Sequence, residues 1–139
     1  MGLPGAGKTT LASALRETLW AKGETVVWFN ADAVRAEHND WDFTIEGRAR
    51  QNDRMINLAN EFQSVCKYVI CDFVAPLSEL RETFNADFTV WVDTIDSSVF
   101  EDTNAMFEQP EKYDVRVTEK DSKKWATIIA NIINSEEKL

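Results

Sequence analysis

Gly2-Leu3-Pro4-Gly5-Ala6-Gly7-Lys8-Thr9 stands at the head of the chain, followed by Thr10-Leu11-Ala12. The stretch fills the pattern G-x-x-x-x-G-K-[ST], and the pattern carries a mechanism. Glycines without Cβ let successive backbone N–H groups turn inward and approach phosphate oxygens closely. Lys8 is expected to reach the β- and γ-phosphates of a nucleotide, and the Thr9 hydroxyl to ligate Mg²⁺. The helix that follows aims the positive end of its dipole at the same anion. ATP and Mg²⁺ are therefore the expected cofactors. The residues expected to hold them are Gly2, Pro4, Gly5, Ala6, Gly7, Lys8, Thr9 and Thr10.

Such a loop needs a strand before it and a helix after it. Leu11, Leu15 and Leu19 recur at i, i+4 and i+8, which predicts the helix. Only Met1 precedes Gly2, so the strand is not in view. In folds built on this loop that strand lies mid-sheet and is fully buried. Either Met1 is an internal methionine with a short apolar segment ahead of it, or the sheet is built around a gap.

The 139 residues fit one domain, with 44% apolar and 28% charged residues, ordinary values for a soluble globular protein. A net charge of −9 repels nucleic-acid backbones and argues against non-specific DNA or RNA binding. An anionic substrate then has to be held by a local cluster of positive groups. Cys66 and Cys71 match no metal-binding or CxxC spacing and read as free thiols of a reducing, cytoplasmic compartment. No apolar run approaches the length of a membrane span, and no signal peptide is seen.

Gly23 is suited to cap the first helix. A buried strand is predicted over Thr25–Phe29, and a long helix from Glu46 to about Val65. Thr44 with Gly47 three residues on is not a capping box, although Glu46 sits where the helix dipole favours it. A second strand, Tyr68–Cys71, ends at Asp72 and so carries a carboxylate to the sheet edge where ligands of open α/β sheets bind. A short helix is expected from Leu77 to Phe84, then strands over Phe88–Asp93 and about Tyr113–Val117. The last helix starts at Asp121 or Ser122 and runs to about Ser135, with Trp125, Ile128, Ile129 and Ile132 on one face. Alternating strands and helices predict a parallel sheet with helices on both faces.

Several ordered blocks together resemble the adenylyl-sulfate kinases, small P-loop enzymes. These move the γ-phosphate of ATP onto the 3′-hydroxyl of adenosine 5′-phosphosulfate. Gly2–Thr10 is similar to the family's phosphate loop, and Asn30-Ala31-Asp32-Ala33-Val34-Arg35 to its Asp-Gly-Asp-Asn-Val-Arg block. Phe43-Thr44 with Gly47-Arg48 resembles its Phe-Ser and later Asp-Arg, and Phe73-Val74-Ala75-Pro76 its Phe-Ile-Ser-Pro. The resemblance implies one three-layer P-loop kinase domain over residues 1–139, a small anionic nucleotide as substrate, and a homodimer as a possible assembly. Departures are clear. The family's first Asp is Asn30, its long-helix asparagine falls near Gln51, and its Arg-Asp-x-Lys-Gly-Leu-Tyr lid is Glu101-Asp102-Thr103-Asn104-Ala105-Met106-Phe107. Two lid cations are thus replaced by Glu101 and Asn104.

The resemblance places the key carboxylate at Asp32, where it would orient the attacking hydroxyl or accept its proton. The plainer reading of Asp32 is a helix N-cap. Arg35 and Arg48, and Arg54 less directly, would grip the phosphosulfate, unless they pair with nearby acids. Phe43 would stack on the substrate base, with Phe107 opposite or simply packed. Gln51, Phe73 and Val74 complete the substrate side, and Asp72, where the family usually carries a small residue, would hold Mg²⁺ through water as in other P-loop NTPases. His38 reads as solvated. Asp93–Phe107 is the expected lid. Two alternatives stay open: a kinase of this fold for another metabolite, and a nucleotide-binding protein without catalysis. A GTP switch is disfavoured, since no Asn-Lys-x-Asp motif occurs.

Overall fold

Residues 1–137 are described by the computed structural model. In chain order they form α1 (Lys8–Ala21), β1 (Val26–Asn30), α2 (Ala31–His38), α3 (Ile45–Phe62), β2 (Tyr68–Asp72), α4 (Ser78–Phe84), β3 (Val90–Val92), α5 (Glu101–Met106), β4 (Val115–Val117) and α6 (Ser122–Glu137). Every strand pairing is parallel, as the alternation of elements predicts. β1 runs beside β2 from Val26↔Tyr68 to Asn30↔Asp72, and β3 beside β4 from Val90↔Val115 to Val92↔Val117.

These are two separate two-stranded sheets. At their carboxyl ends Met1 and Gly2 lie between them. The Met1 nitrogen donates to Val90 O and Val92 N–H donates to Met1 O, both at 2.8 Å, the pair of bonds a parallel neighbour makes around residue 91. On the other side Gly2 N–H donates to Val74 O at 3.3 Å. A Cβ on Gly2 would meet Val92 O at 2.4 Å, so only glycine lets the chain pass this close.

Strand alternation sorts the residues into two layers. Val26, Tyr68 and Ile70 face α1 and α6, where Leu11, Leu15, Leu19, Ala126, Ile129 and Ala130 form the core. Burying Leu19 and Ile129, which are at most 1% exposed, contributes about 1.5–3 kcal/mol each. On the opposite face Phe29 meets Phe62 of α3 with ring centroids 5.1 Å apart. Among the described residues, no helix is long and apolar enough to cross a membrane.

Local signals set most boundaries. Gly23, at φ 83°, donates to Trp20 O while Glu24 N–H donates to Leu19 O, the two bonds that close a helix at a left-handed residue. Thr44 caps α3 by accepting from Gly47 N–H at 3.2 Å. The cap of α2 is Asn30, whose Oδ1 accepts from Ala33 N–H at 3.0 Å, and not Asp32. Asp32 sits in the first turn, free of that duty. α3 stops at Phe62, short of the expected Val65, where Val65 and Cys66 N–H both turn back onto Phe62 O. β3 and β4 are shorter than expected because they pair over only three residues each. The lid contains a helix, α5, that apolar spacing does not announce.

Candidate active site

The phosphate loop is held from below and open above. Gly5 and Gly7 take φ values of 84° and 101°, and Gly7 caps α1 without a side chain. Ala6 N–H donates to Leu3 O at 3.2 Å, and Thr94 Oγ1 donates to Ala6 O at 2.6 Å from the strand beyond. The first N–H groups of α1 remain available for an anion, with the dipole behind them. Lys8 Nζ donates to Leu3 O at 3.0 Å, so the loop's own carbonyl holds the ammonium in place. Burial lowers the Lys8 pKa, and Asp72 and then Asp32 push it back up.

Beside it, the carboxyl ends of β1 and β2 bring three polar groups onto Thr9. Thr9 Oγ1 donates to Asp72 Oδ2 at 2.9 Å, and Asn30 Nδ2 donates to the same Oδ2 at 2.9 Å and to Thr9 Oγ1 at 3.1 Å. Because Asn30 Oδ1 is committed to the α2 cap, its amide can only present Nδ2 here. Asp72 is 5% exposed. One carboxylate and one hydroxyl suit Mg²⁺, which keeps several waters and takes few protein ligands alongside phosphate oxygens. Among the described residues no group of three or more His, Cys, Asp or Glu forms a denser metal cage.

Past α2, the chain from Asp40 to Phe43 is clasped by arginines. Arg35 Nη1 donates to Asp40 O and Asp42 O, both at 3.0 Å, and its guanidinium lies 4.3 Å from the Phe43 ring centre. Arg48 Nε donates to Phe43 O at 3.0 Å and Nη2 to Thr103 Oγ1 of α5 at 2.9 Å. Arg54 pairs with Asp40 at 2.5 Å, and Arg50 with Asp42 at 2.8 Å. Arg50 also reaches Asp40, at 3.2 Å, and with Arg54 holds its carboxyl well below the usual carboxylate range, while Thr44, whose N–H donates to Asp42 at 2.9 Å, and then Arg50 hold Asp42 at about 2. Gly47 makes the clasp fit, since a Cβ there would stand 2.1 Å from Asp42 O.

Asp32, Arg35, Phe43, Arg48, Gln51, Phe73 and Val74 line one cleft of about 1500 Å³ with Pro4, Lys8, Thr9 and Asp72. The structure therefore brings the sequence-predicted substrate residues together with the phosphate loop. Three other side chains named from the sequence stand outside that wall. Arg54 is turned onto Asp40 and is not part of the cleft wall. Phe107 packs under Arg81, 5.2 Å from its ring centre, and is likewise outside the wall. Asn104, which stands where the family lid has lysine, is spent inside the lid. Its Oδ1 accepts from Ser98 N–H and Oγ, and its Nδ2 donates to Ser98 O, all at 2.7–2.8 Å.

The lid's far end is anchored by Arg81, whose Nε donates to Ala75 O at 2.6 Å and Nη2 to Glu108 O at 2.5 Å. Several site features have little sequence signal. Trp41, Val99 and Phe100 flank the cleft, and a second hollow of about 170 Å³ lies behind Gly7 and Thr10, walled by Val117, Glu119, Lys120 and Trp125. Only the β4–α6 order in the chain could have pointed to that hollow. Thr94 beneath the loop, by contrast, follows a strand end as Asp72 does.

The sequence model of the family described as Adenylylsulphate kinase matches residues 1–117. An adenylyl-sulfate kinase of Shewanella baltica (strain OS195) is 34% identical over 90 residues, covering 64% of this chain and 44% of that protein. A probable adenylyl-sulfate kinase of Aeropyrum pernix is 36% identical over 81 residues, covering 58% and 44%. The chain thus spans less than half the length of these curated relatives in the matched region. Among solved structures, the APS kinase CysC of Mycobacterium tuberculosis in complex with AMPPNP and APS superposes with a TM-score of 0.80 at 21% identity, over 96% of this chain and 94% of that one. Shikimate kinase from Acinetobacter baumannii in complex with shikimate gives 0.59 at 20% identity, over 97% and 90%. These likenesses show the fold, an α/β P-loop kinase architecture.

Proposed function

The chain belongs to the adenylyl-sulfate kinase family, and on that premise we propose that it transfers the γ-phosphate of ATP to the 3′-hydroxyl of adenosine 5′-phosphosulfate. The observation that carries the reading is the single cleft holding Lys8, Thr9, Asp72 and Asp32 with Arg35, Arg48 and Phe43. The loop N–H groups and Lys8 bind the nucleotide phosphates, Lys8 exchanging Leu3 O for phosphate oxygen as it does so. The purine of ATP fits the hollow behind Gly7 and Thr10. Thr9 and Asp72 would hold Mg²⁺. When bound, the ion supplies neutralisation of charge on the transferring phosphoryl group.

Asp32, in the first turn of α2 and bordering the cleft, orients the acceptor hydroxyl and takes its proton. Arg35 and Arg48 have buried guanidiniums already committed to the Asp40–Phe43 backbone and Thr103. Their contribution to an anionic acceptor is therefore a fixed positive field, with the N–H groups left over as donors. Phe43, half-exposed beside them, offers a ring to the acceptor's base. The lid excludes water through α5 and Phe100 and brings no cation of its own. We place the protein in the cytoplasm, as one P-loop domain acting on small nucleotides rather than nucleic acid, in keeping with its charge of −9. The homodimer is carried over from the family resemblance.

ADP release coupled to an indicator reaction tests the proposal. Saturable turnover with adenosine 5′-phosphosulfate is expected, with kcat reduced about 10²–10⁴-fold in Asp32→Ala and ATP binding unchanged. Inactivity with that acceptor alongside turnover of another hydroxyl compound overturns it.

A further inference from the structure

Five buried side-chain atoms lack a hydrogen-bond partner among the described residues: Arg16 Nε, Trp28 Nε1, Asn52 Oδ1, Arg81 Nη1 and Trp125 Nε1. Four are donors. The acceptor, Asn52 Oδ1, belongs to a side chain that lines the substrate cleft and is 2% exposed. Its other end is fixed, because Nδ2 donates to Leu80 O of α4 at 3.1 Å and so leaves Oδ1 as the unused end of the amide. Buried acceptors are nearly always satisfied in native proteins, so one left open in a ligand cleft calls for a ligand donor.

Neighbouring groups do not compete for the role. Arg48, Gln51 and Asn52 share one face of α3 at i, i+3 and i+4. Arg48 donates to Phe43 O and Thr103 and can accept nothing, and Gln51 donates to Ala31 O while accepting from Arg54. Asn52 Oδ1 alone on that face keeps its full capacity. Leu80, whose carbonyl Asn52 holds, lines the same cleft, as do Ala75 and Pro76. A neutral carbonyl oxygen in such a wall repels the oxygens of phosphate and sulfate and favours an N–H. The acceptor's anionic end belongs with Arg35 and Arg48, and its uncharged, donor-bearing end belongs at Asn52.

Resting on the acceptor assignment above, we propose that Asn52 Oδ1 accepts a hydrogen bond from the exocyclic amine of the acceptor nucleotide's base and thereby selects an aminopurine. A 6-oxo base would set two acceptors against each other at this point and leave Oδ1 unpaired. The cost of such a mismatch corresponds to about ten- to a hundredfold in affinity.

Calorimetric titration of the whole chain with adenosine 5′-phosphosulfate and with its 6-oxo (inosine) counterpart tests this. Wild type is expected to prefer the amine by that factor. Asn52→Leu, which keeps the volume and removes the acceptor, is expected to bind both within about twofold, while Asn52→Asp retains the preference. The wild-type comparison changes only the ligand, so equal binding there overturns the role even if a variant fails to fold. Equal binding of both ligands by wild type, or an undiminished preference in Asn52→Leu, overturns the role of Asn52. Binding of neither ligand overturns the acceptor assignment itself, and this proposal with it.

Discussion

Replacing Asp72 by asparagine isolates the metal's share of nucleotide binding. Asp72 Oδ2 accepts from Thr9 Oγ1 and Asn30 Nδ2, both at 2.9 Å, in a site from which solvent is nearly excluded. Asparagine has the same shape and can accept the same two bonds, so the packing survives. What is lost is the negative charge and the orientation of Thr9 that a charged acceptor enforces. Removing a group that acts on a metal through a ligand or a water weakens binding by about 10–100-fold, or about 1.4–2.7 kcal/mol. The loss of a carboxylate that raises the Lys8 pKa also shifts that lysine further down. Titration of a non-hydrolysable ATP analogue with and without Mg²⁺ separates the effects. Affinity in Mg²⁺ is expected to fall by the stated factor, affinity in chelator by about threefold or less, and Tm by only a few degrees. An equal loss in both conditions would refute the reasoning, because it would make Asp72 a scaffold for the loop. No loss in either would refute it as well.

Three further outcomes follow from the geometry. Gly47→Ala drives a Cβ to within 2.1 Å of Asp42 O, and is expected to cost about 1–3 kcal/mol in thermal or denaturant unfolding and to raise the acceptor KM more than that of ATP. The Asp40 and Asp42 carboxyls are depressed in the folded state, Asp42 to about 2, against an unfolded value of about 4, so their contribution is complete above that value and lost as pH falls through the folded pKa. Carboxyl carbon shifts followed by NMR should therefore show both still ionised at about pH 3, and normal midpoints would contradict the clasp. Burial, reinforced by Asp72, pushes the Cys71 thiol up to about 12, so it should resist a thiol reagent at about pH 8 until the chain unfolds.

The phosphate loop, the helix after it and the strand ending in Asp72 were legible because each is a local pattern with one physical solution. Asp32, Arg35, Phe43 and Arg48 were pointed to by the resemblance of ordered blocks to the family, and the cleft does gather them. The duties of individual side chains were not legible. Asn30 rather than Asp32 caps α2, since a cap is decided by which residue still has extended backbone. Arg54 and Asn104 have the chemistry of ligand-binding groups but are taken by Asp40 and Ser98, partners set by tertiary contact. Asn52 drew no notice because an amide mid-helix reads as neutral until its burial and its one missing partner are seen together.

The division of the sheet gives the nucleotide a mechanical part. Asn30, Asp32 and Asp72 ride on the β1–β2 pair, while Thr94 and the lid follow the β3–β4 pair. Direct fastenings across the seam include Met1, Gly2 and the Arg48–Thr103 bond. A ligand gripped from both sides ties the two pairs further, beyond the one core that Val26, Val92 and Val115 already share with α1 and α6. Its binding free energy adds to cohesion as well as to occupancy.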